Sequence, residues 1–268
     1  CVVRWLSHGT LAKASVASEF FFVQNYGQPL WIHTWSLAVE EHFYLVLSLL
    51  FAVARLRKKA FNPLPWALSA MVLCPIARGL SHQTALYLTH QRIDALFFGV
   101  LLRWAFGLPQ VRRRLPMGPL PTAALAVAAI ALMAPVAIAG ETTPWMRTLG
   151  LTALYLGAGA LLAATVEGQL KPRGLLARIL AKIGFDSYSI YLWHLPILGW
   201  SARLAARLPG APPIAIVVAQ VLLCVLLGVG LARAIERPFL KLRDRWFPTD
   251  KSAAAVHPEL LPADRSTG

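Results

Sequence analysis

Charge is scarce in these 268 residues: 14% are Asp, Glu, Lys or Arg, against roughly 25% in an ordinary soluble domain. With 57% of positions hydrophobic, a large water-soluble core is a poor account of the chain and a membrane protein a better one. Cysteine is scarcer still. Cys1, Cys74 and Cys224 show no CxxC or Cys/His ligand spacing, which argues against a disulfide framework and a zinc site and leaves buried packing for the two in apolar runs. No glycine-rich dinucleotide or phosphate loop occurs, nor any convincing metal array. His82 and His90, in one polar break, read as loop histidines. The start has no initiator methionine and no basic, apolar, small-residue order of a secretory signal. A processed product or, as the better expectation, a fragment whose preceding residues are missing fits that start.

What is present is a series of apolar runs divided by basic breaks. The formal charge of +14 comes from 26 basic against 12 acidic residues. Much of it sits at Arg55, Arg57, Lys58 and Lys59, at Arg112 to Arg114, and at Lys171, Arg173, Arg178 and Lys182. Short clusters of this kind fit cytoplasmic loops better than a continuous nucleic-acid face, so nucleic acid is not an expected partner. Nine tryptophans, many near the ends of apolar runs, suit the interfacial belt, where an indole buries its ring and keeps its N–H hydrated.

The runs predict an all-α fold, a polytopic transmembrane helix bundle with about seven spans, near 36–54, 64–80, 91–107, 120–139, 148–166, 184–202 and 212–234. Charge then orients them: breaks 55–59, 103–114 and 167–182 inside, breaks 81–91, 140–147 and 203–211 outside. Residues 1–34 become an outer loop with a short interfacial helix, 35–242 the membrane domain, and 243–268 a flexible cytoplasmic tail. Gly157 and Gly159 can permit close helix approach.

The leading candidate for chemistry is WSLAVEEHFYLVLSLLFAVA, residues 35–54. About 19 helical residues at 1.5 Å each reach roughly 28 Å, close to the apolar thickness of a bilayer. Adjacent carboxylates in such a segment are costly at the lipid midplane, so Glu40 and Glu41 belong near a membrane face, in a protein interior or beside a watery cavity. Ser36, Glu40, Tyr44 and Leu47 recur at helical spacing, with Glu41 about 100° away, so both glutamates cannot centre on one face. A first-turn structural pair is the plain alternative to a catalytic placement. His42 can exchange a proton or hydrogen-bond an interfacial group. In QRIDALFFGVLL, Arg92 can hold a phosphate, a carboxylate or another helix's glutamate. Asp94, two positions on, is not its default salt-bridge partner and can orient it indirectly or accept from a substrate hydroxyl. In SYSIYLWHLPI, His194 lies among apolar and aromatic residues and needs a polar partner, structural or catalytic.

The order WSLAVEEHFYL, RIDALFFG, SYSIYLWHLPI and IERPF resembles the membrane acyltransferase-3 family, over about residues 20–242. The resemblance implies a core of about ten spans, of which this chain would hold about seven, with three helices missing upstream. It implies an O-acyltransferase that moves an acyl group, often acetyl from acetyl-coenzyme A supplied from the cytoplasm, to a hydroxyl of an envelope or exported saccharide. An acyl donor, a saccharide or lipid-linked glycan acceptor and membrane lipid are the implied partners, and the bacterial inner membrane the implied location. No bound cofactor and no metal is implied. Carried onto this sequence, the motifs make Glu40, Glu41, Arg92 and His194 catalytic candidates, and His42, Tyr44, Asp94, Tyr191 and Trp193 substrate-binding ones. His42 stands where glutamine is usual. The family's upstream arginine and its proposed catalytic histidine, and its later RxxR-type element, have no convincing match here. Direct transfer and an acyl intermediate both remain open. Without that histidine the chain alone is expected to be inactive, and a membrane binding or transport component that keeps only the helical shell is the alternative reading.

Overall fold

The computed structural model describes residues 13–81, 86–114, 118–139, 143–166, 174–205 and 212–247. Every regular element among them is helical, as expected where long apolar runs must satisfy their backbone polar groups internally. The chain forms two units, Cys1–Pro172 and Arg173–Gly268.

In the first unit, α1 (Lys13–Phe20) is followed by a loop and a short 3-10 turn at Ile32–Thr34. The turn leads into α2 (Trp35–Leu56). Lys58 stops α2 in the left-handed region (φ 51°), and the Lys59 N–H bonds back to Ala54 O at 2.9 Å, closing the helix end. Pro63 and Pro65 open α3 (Leu64–Leu80), where a missing N–H costs nothing. The remaining helices of this unit are α4 (Thr89–Phe106), the short α5 (Pro109–Arg114), α6 (Pro119–Ile138), and α7 (Leu151–Val166), which a π-helical turn at Met146–Gly150 precedes.

α2, α3 and α4 share one core: Phe43 from α2, Ala67, Ala70 and Cys74 from α3, and Phe97 from α4. Phe43 and Phe97 meet edge to face, ring centroids 5.3 Å apart. Alanine and cysteine on α3 let the flanking helices come near without a void. α6 and α7 approach so closely that a Cβ on Gly157 would lie 2.6 Å from Met133 Cγ and 3.0 Å from Ala129 O. A Cβ on Gly159 would strike the Phe98 ring of α4 at 2.6 Å. Both glycines are therefore points of close approach.

The second unit holds α8 (Leu175–Phe185), α9 (Ser187–Ala205) and α10 (Pro213–Leu231), and a π-helical turn at Ala232–Glu236 leads into α11 (Arg237–Trp246). α9 packs on α10 where Gly228 faces the Ile190 backbone: a Cβ there would sit 2.8 Å from Ile190 Cα.

Among the described residues, four helical runs are long and apolar enough to cross a bilayer: Ile32–Leu56, Pro119–Val136, Met146–Thr165 and Pro213–Trp246; Leu64–Leu80 is apolar but shorter. The chain is thus an integral membrane protein with several spans. The helices that fall outside this measure have plain reasons: α4 carries Arg92, Asp94 and Arg103, and Ser187, Ser189, Tyr191 and His194 dilute α9. Two helices cross the divisions drawn from the sequence. The break drawn at 167–182 contains the start of α8, a helix with Leu175, Leu176, Ile179 and Leu180 on its apolar positions. The expected tail boundary at 242 falls inside α11, which runs to Trp246; of the remaining tail, residues 248–268 lie outside the described residues, as do residues 1–12 of the outer loop.

Candidate active site

The polar centre of the first unit lies where the N-terminal ends of α2 and α4 meet the loop after α1. His42 of α2 and Thr89 of α4 are joined by a 2.7 Å hydrogen bond between Nδ1 and Oγ1. Asn25 from the loop donates from Nδ2 to the same Thr89 Oγ1 at 2.8 Å and to Tyr87 O at 3.4 Å. The Tyr26 hydroxyl pairs with His90 Nδ1 at 3.1 Å, and the Tyr26 ring lies 5.9 Å from the His90 ring, stacked, and 6.1 Å from that of His42. Three segments far apart in sequence are thereby tied at one point.

The loop that supplies Asn25 and Tyr26 is itself braced. Glu19 Oε1 accepts from Leu30 N at 3.0 Å, Trp31 N at 3.3 Å and Thr34 Oγ1 at 2.7 Å, and Gln24 Nε2 donates to Thr34 O at 2.9 Å. A carboxylate gathering three donors makes charge-assisted bonds stronger than neutral ones, so one acidic residue organises the approach to α2.

Arg92 is half-buried on the same end of α4. Its Nε donates to Leu86 O at 2.7 Å, and its guanidinium lies 5.0 Å over the Trp35 ring, whose centroid is 5.4 Å from that of Tyr87 in a stacked pair. Asp94 faces elsewhere. It is 1% exposed and accepts from Arg78 Nη1 with both oxygens, at 3.2 and 3.0 Å. Arg78, also 1% exposed, further donates to Gln91 O at 2.6 Å, Thr148 O at 3.2 Å and Thr152 Oγ1 at 2.9 Å. A buried charge pair is tolerable when its nitrogens find further acceptors, and each nitrogen of Arg78 has one. The oxygens of Asp94, read from the sequence as a substrate-binding candidate, face a buried guanidinium that joins α3 to α4. Arg78 was not among the sequence-derived candidates. The signal for it was an arginine in the last turn of an apolar helix, a charge that has to find a partner.

Glu40 is half-buried and Glu41 exposed, and neither carboxylate forms a side-chain hydrogen bond or ion pair among the described residues. Tyr44, 53% exposed, has its ring beside that of Phe43. The face of α2 directed into the core is Val39, Phe43, Leu47 and Leu50, so the stripe of Ser36, Glu40 and Tyr44 runs beside the packed face. At the other end of the same helices, α2 and α4 border an apolar cavity of about 870 Å³, lined by Phe51, Phe61, Leu96, Val100, Arg103 and Trp104 among others.

Tyr191, Trp193 and His194 belong to the second unit, all half-buried on α9. His194 Nδ1 pairs with Tyr191 O of its own helix, and the two rings lie 5.5 Å apart. Trp193 lines a groove of about 500 Å³ with Tyr188, Ser189, Glu236, Phe239 and Arg243. Ser189 donates to Glu236, and Arg237 pairs with Asp186 at 2.8 Å, so the π-helical turn is fastened to α9 at its start. Among the described residues no group of three or more His, Cys, Asp or Glu could hold a metal ion.

Residues 2–233 match a family model described as an acyltransferase domain. The chain is 27% identical over 237 residues to the O-acetyltransferase OatA of Staphylococcus aureus (strain NCTC 8325 / PS 47), covering 82% of this chain and 38% of that protein. It is 26% identical over 252 residues to the putative peptidoglycan O-acetyltransferase YrhL of Bacillus subtilis (strain 168), covering 88% and 38%. To the putative membrane-bound transacylase BcsY of Komagataeibacter xylinus it is 29% identical over 171 residues, covering 62% and 40%. The chain thus spans about two fifths of the length of these relatives. No solved structure matches.

Proposed function

The chain belongs to the membrane acyltransferase-3 family, and from that premise we propose that the full-length protein moves an acyl group, acetyl from acetyl-coenzyme A, onto a hydroxyl of a cell-envelope or exported saccharide. The observation that carries this reading is the family match across residues 2–233, supported by relatives whose names include an O-acetyltransferase and a putative peptidoglycan O-acetyltransferase.

In this reading seven spans cross the bacterial inner membrane, with the basic breaks inside and residues 1–34 outside. The joined ends of α2 and α4 then face the acceptor's side. The cavity beside Arg103 lies toward the cytoplasm, where a thioester with phosphate groups would arrive. A histidine upstream of this chain is the general base that takes the proton of the attacking hydroxyl. Glu40 or Glu41 orients that base or the acceptor, while Arg92 stabilises the donor or the developing negative charge. His194 takes part in transfer from the second unit, with Tyr191 and Trp193 contacting substrate, and His42 and Tyr44 bind substrate on α2. Asp94 acts by holding Arg78, which bonds the first turn of α4 at Gln91 O.

The test is direct. The full-length protein in vesicles is given acetyl-coenzyme A labelled in the acetyl group and a glycan acceptor on the opposite face. Label should appear on the glycan as a base-labile ester. Donor turnover without labelled glycan, or none at all, would contradict the reading.

A further inference from the structure

Tyr26 and Tyr87 are exposed aromatics whose positions are fixed by protein contacts. An aromatic that merely anchors a span at the membrane surface needs no partner beyond headgroups and water. Tyr26 is 52% exposed, yet its hydroxyl is bonded to His90 and its ring is stacked on that imidazole. Tyr87 is 37% exposed, stacked on Trp35, with its backbone carbonyl taken by Asn25. Trp35 is held in turn by the Arg92 guanidinium. Asn25 links both tyrosines: it precedes Tyr26 in the chain, bonds the Tyr87 carbonyl, and shares Thr89 with His42.

The result is two partly open rings set in a rigid mount, surrounded by groups that donate and accept hydrogen bonds. Phenol rings with ordered edges suit a ligand that has apolar C–H faces and hydroxyls at its rim, because the face stacks and the rim bonds. A pyranose has that pattern; a lipid chain has no polar rim, and a bare phosphate has no face to stack.

We propose that Tyr26, Tyr87 and His90, mounted on Asn25, Thr89 and Trp35, form the sugar-stacking wall of the acceptor site at the joined ends of α2 and α4. The inference rests on the acyl-transfer reading for its acceptor and its membrane side, and it adds the residues that select a saccharide. Stacking on open ring faces accounts for the binding, and the Tyr26 and Tyr87 hydroxyls tune it.

The test is equilibrium binding to the full-length protein in detergent, without acyl donor. Two probes are used: a tetrasaccharide of alternating N-acetylglucosamine and N-acetylmuramic acid, and a neutral β-linked glucose tetrasaccharide. Wild type should bind at least one, with Tyr26→Ala and Tyr87→Ala each weakening it at least tenfold. Tyr87→Phe should stay within about threefold, because the ring remains. Trp200→Ala, at an exposed tryptophan of the second unit, should leave affinity unchanged. If Tyr87→Ala fails to fold, the more exposed Tyr26→Ala reads the same wall. No binding of either probe by wild type, or equal affinity in wild type and Tyr26→Ala, would overturn the proposal. Glycan binding with no label transfer would sink only the acyl-transfer reading. Transfer with an unchanged acceptor KM in both alanine variants would sink only this one.

Discussion

Two helix junctions in the first unit are held together by opposite means. Where α6 meets α7, the contact is small residues and van der Waals packing: Gly157 lets Met133 and the Ala129 carbonyl come within the space a methyl group would need. Where α3 and α4 meet, a fully buried Arg78 spends its guanidinium on Asp94, on two backbone carbonyls and on a threonine hydroxyl. Packing of the first kind tolerates any apolar helix of suitable shape. Bonding of the second kind fixes which residues of α4 stand at its N-terminal end, and those are Thr89, His90 and Arg92. In the proposed reading, chemistry in this unit is set on the polar junction, and the apolar one supplies the frame.

Mutations separate the two. Arg78→Met should have the largest effect, because it strands the Asp94 carboxylate in a buried site: about 3–5 kcal/mol of stability lost, read as thermal unfolding in detergent. Arg78→Met with Asp94→Leu should recover most of that loss while transfer stays impaired. Full recovery of transfer would show that the clamp is only packing. Gly157→Val should cost about 1–3 kcal/mol through overpacking against Met133 and leave the kcat of the folded fraction unchanged. Asn25→Ala should cost about 1–2 kcal/mol for its two lost bonds and make the loop before α2 easier to cleave in limited proteolysis. Smallest is Lys58→Gly, which should stabilise by about 0.5–1 kcal/mol, because glycine accepts the left-handed conformation that lysine holds at the end of α2.

Apolar pattern alone carried much of the fold. The stretch 64–80 read from hydropathy and prolines coincides with α3, and α2 runs from Trp35 to Leu56 where 36–54 was expected. Arg92 and Asp94 were read as facing different partners from their two-residue spacing, and Leu86 O and Arg78 are those partners. Other features left no such trace. The pairing of Arg78 with Asp94 spans a turn between helices, and neither residue type nor spacing fixes it. Asn25 and Gln24 sit in an irregular loop, where one residue's role depends on what folds over it. α8 went unseen because its basic residues and neighbouring glycine and proline read as a break, although leucines at helical spacing were there. Hydropathy also explains why the four clearest spans omit α4 and α9: the helices that carry Arg92 and His194 are less apolar because they carry them.

In the proposed reading the carboxylates of α2, Arg92 of α4 and His194 of α9 serve acyl transfer. Its most direct measurement is the initial rate of labelled acetyl transfer to glycan by the full-length protein in vesicles, for wild type and for Glu40→Gln, Glu41→Gln, Arg92→Ala and His194→Ala. At least a tenfold fall in kcat is expected for Arg92→Ala, for His194→Ala and for one or both glutamine variants, with unfolding temperatures near wild type. Wild-type rates in all four would contradict it.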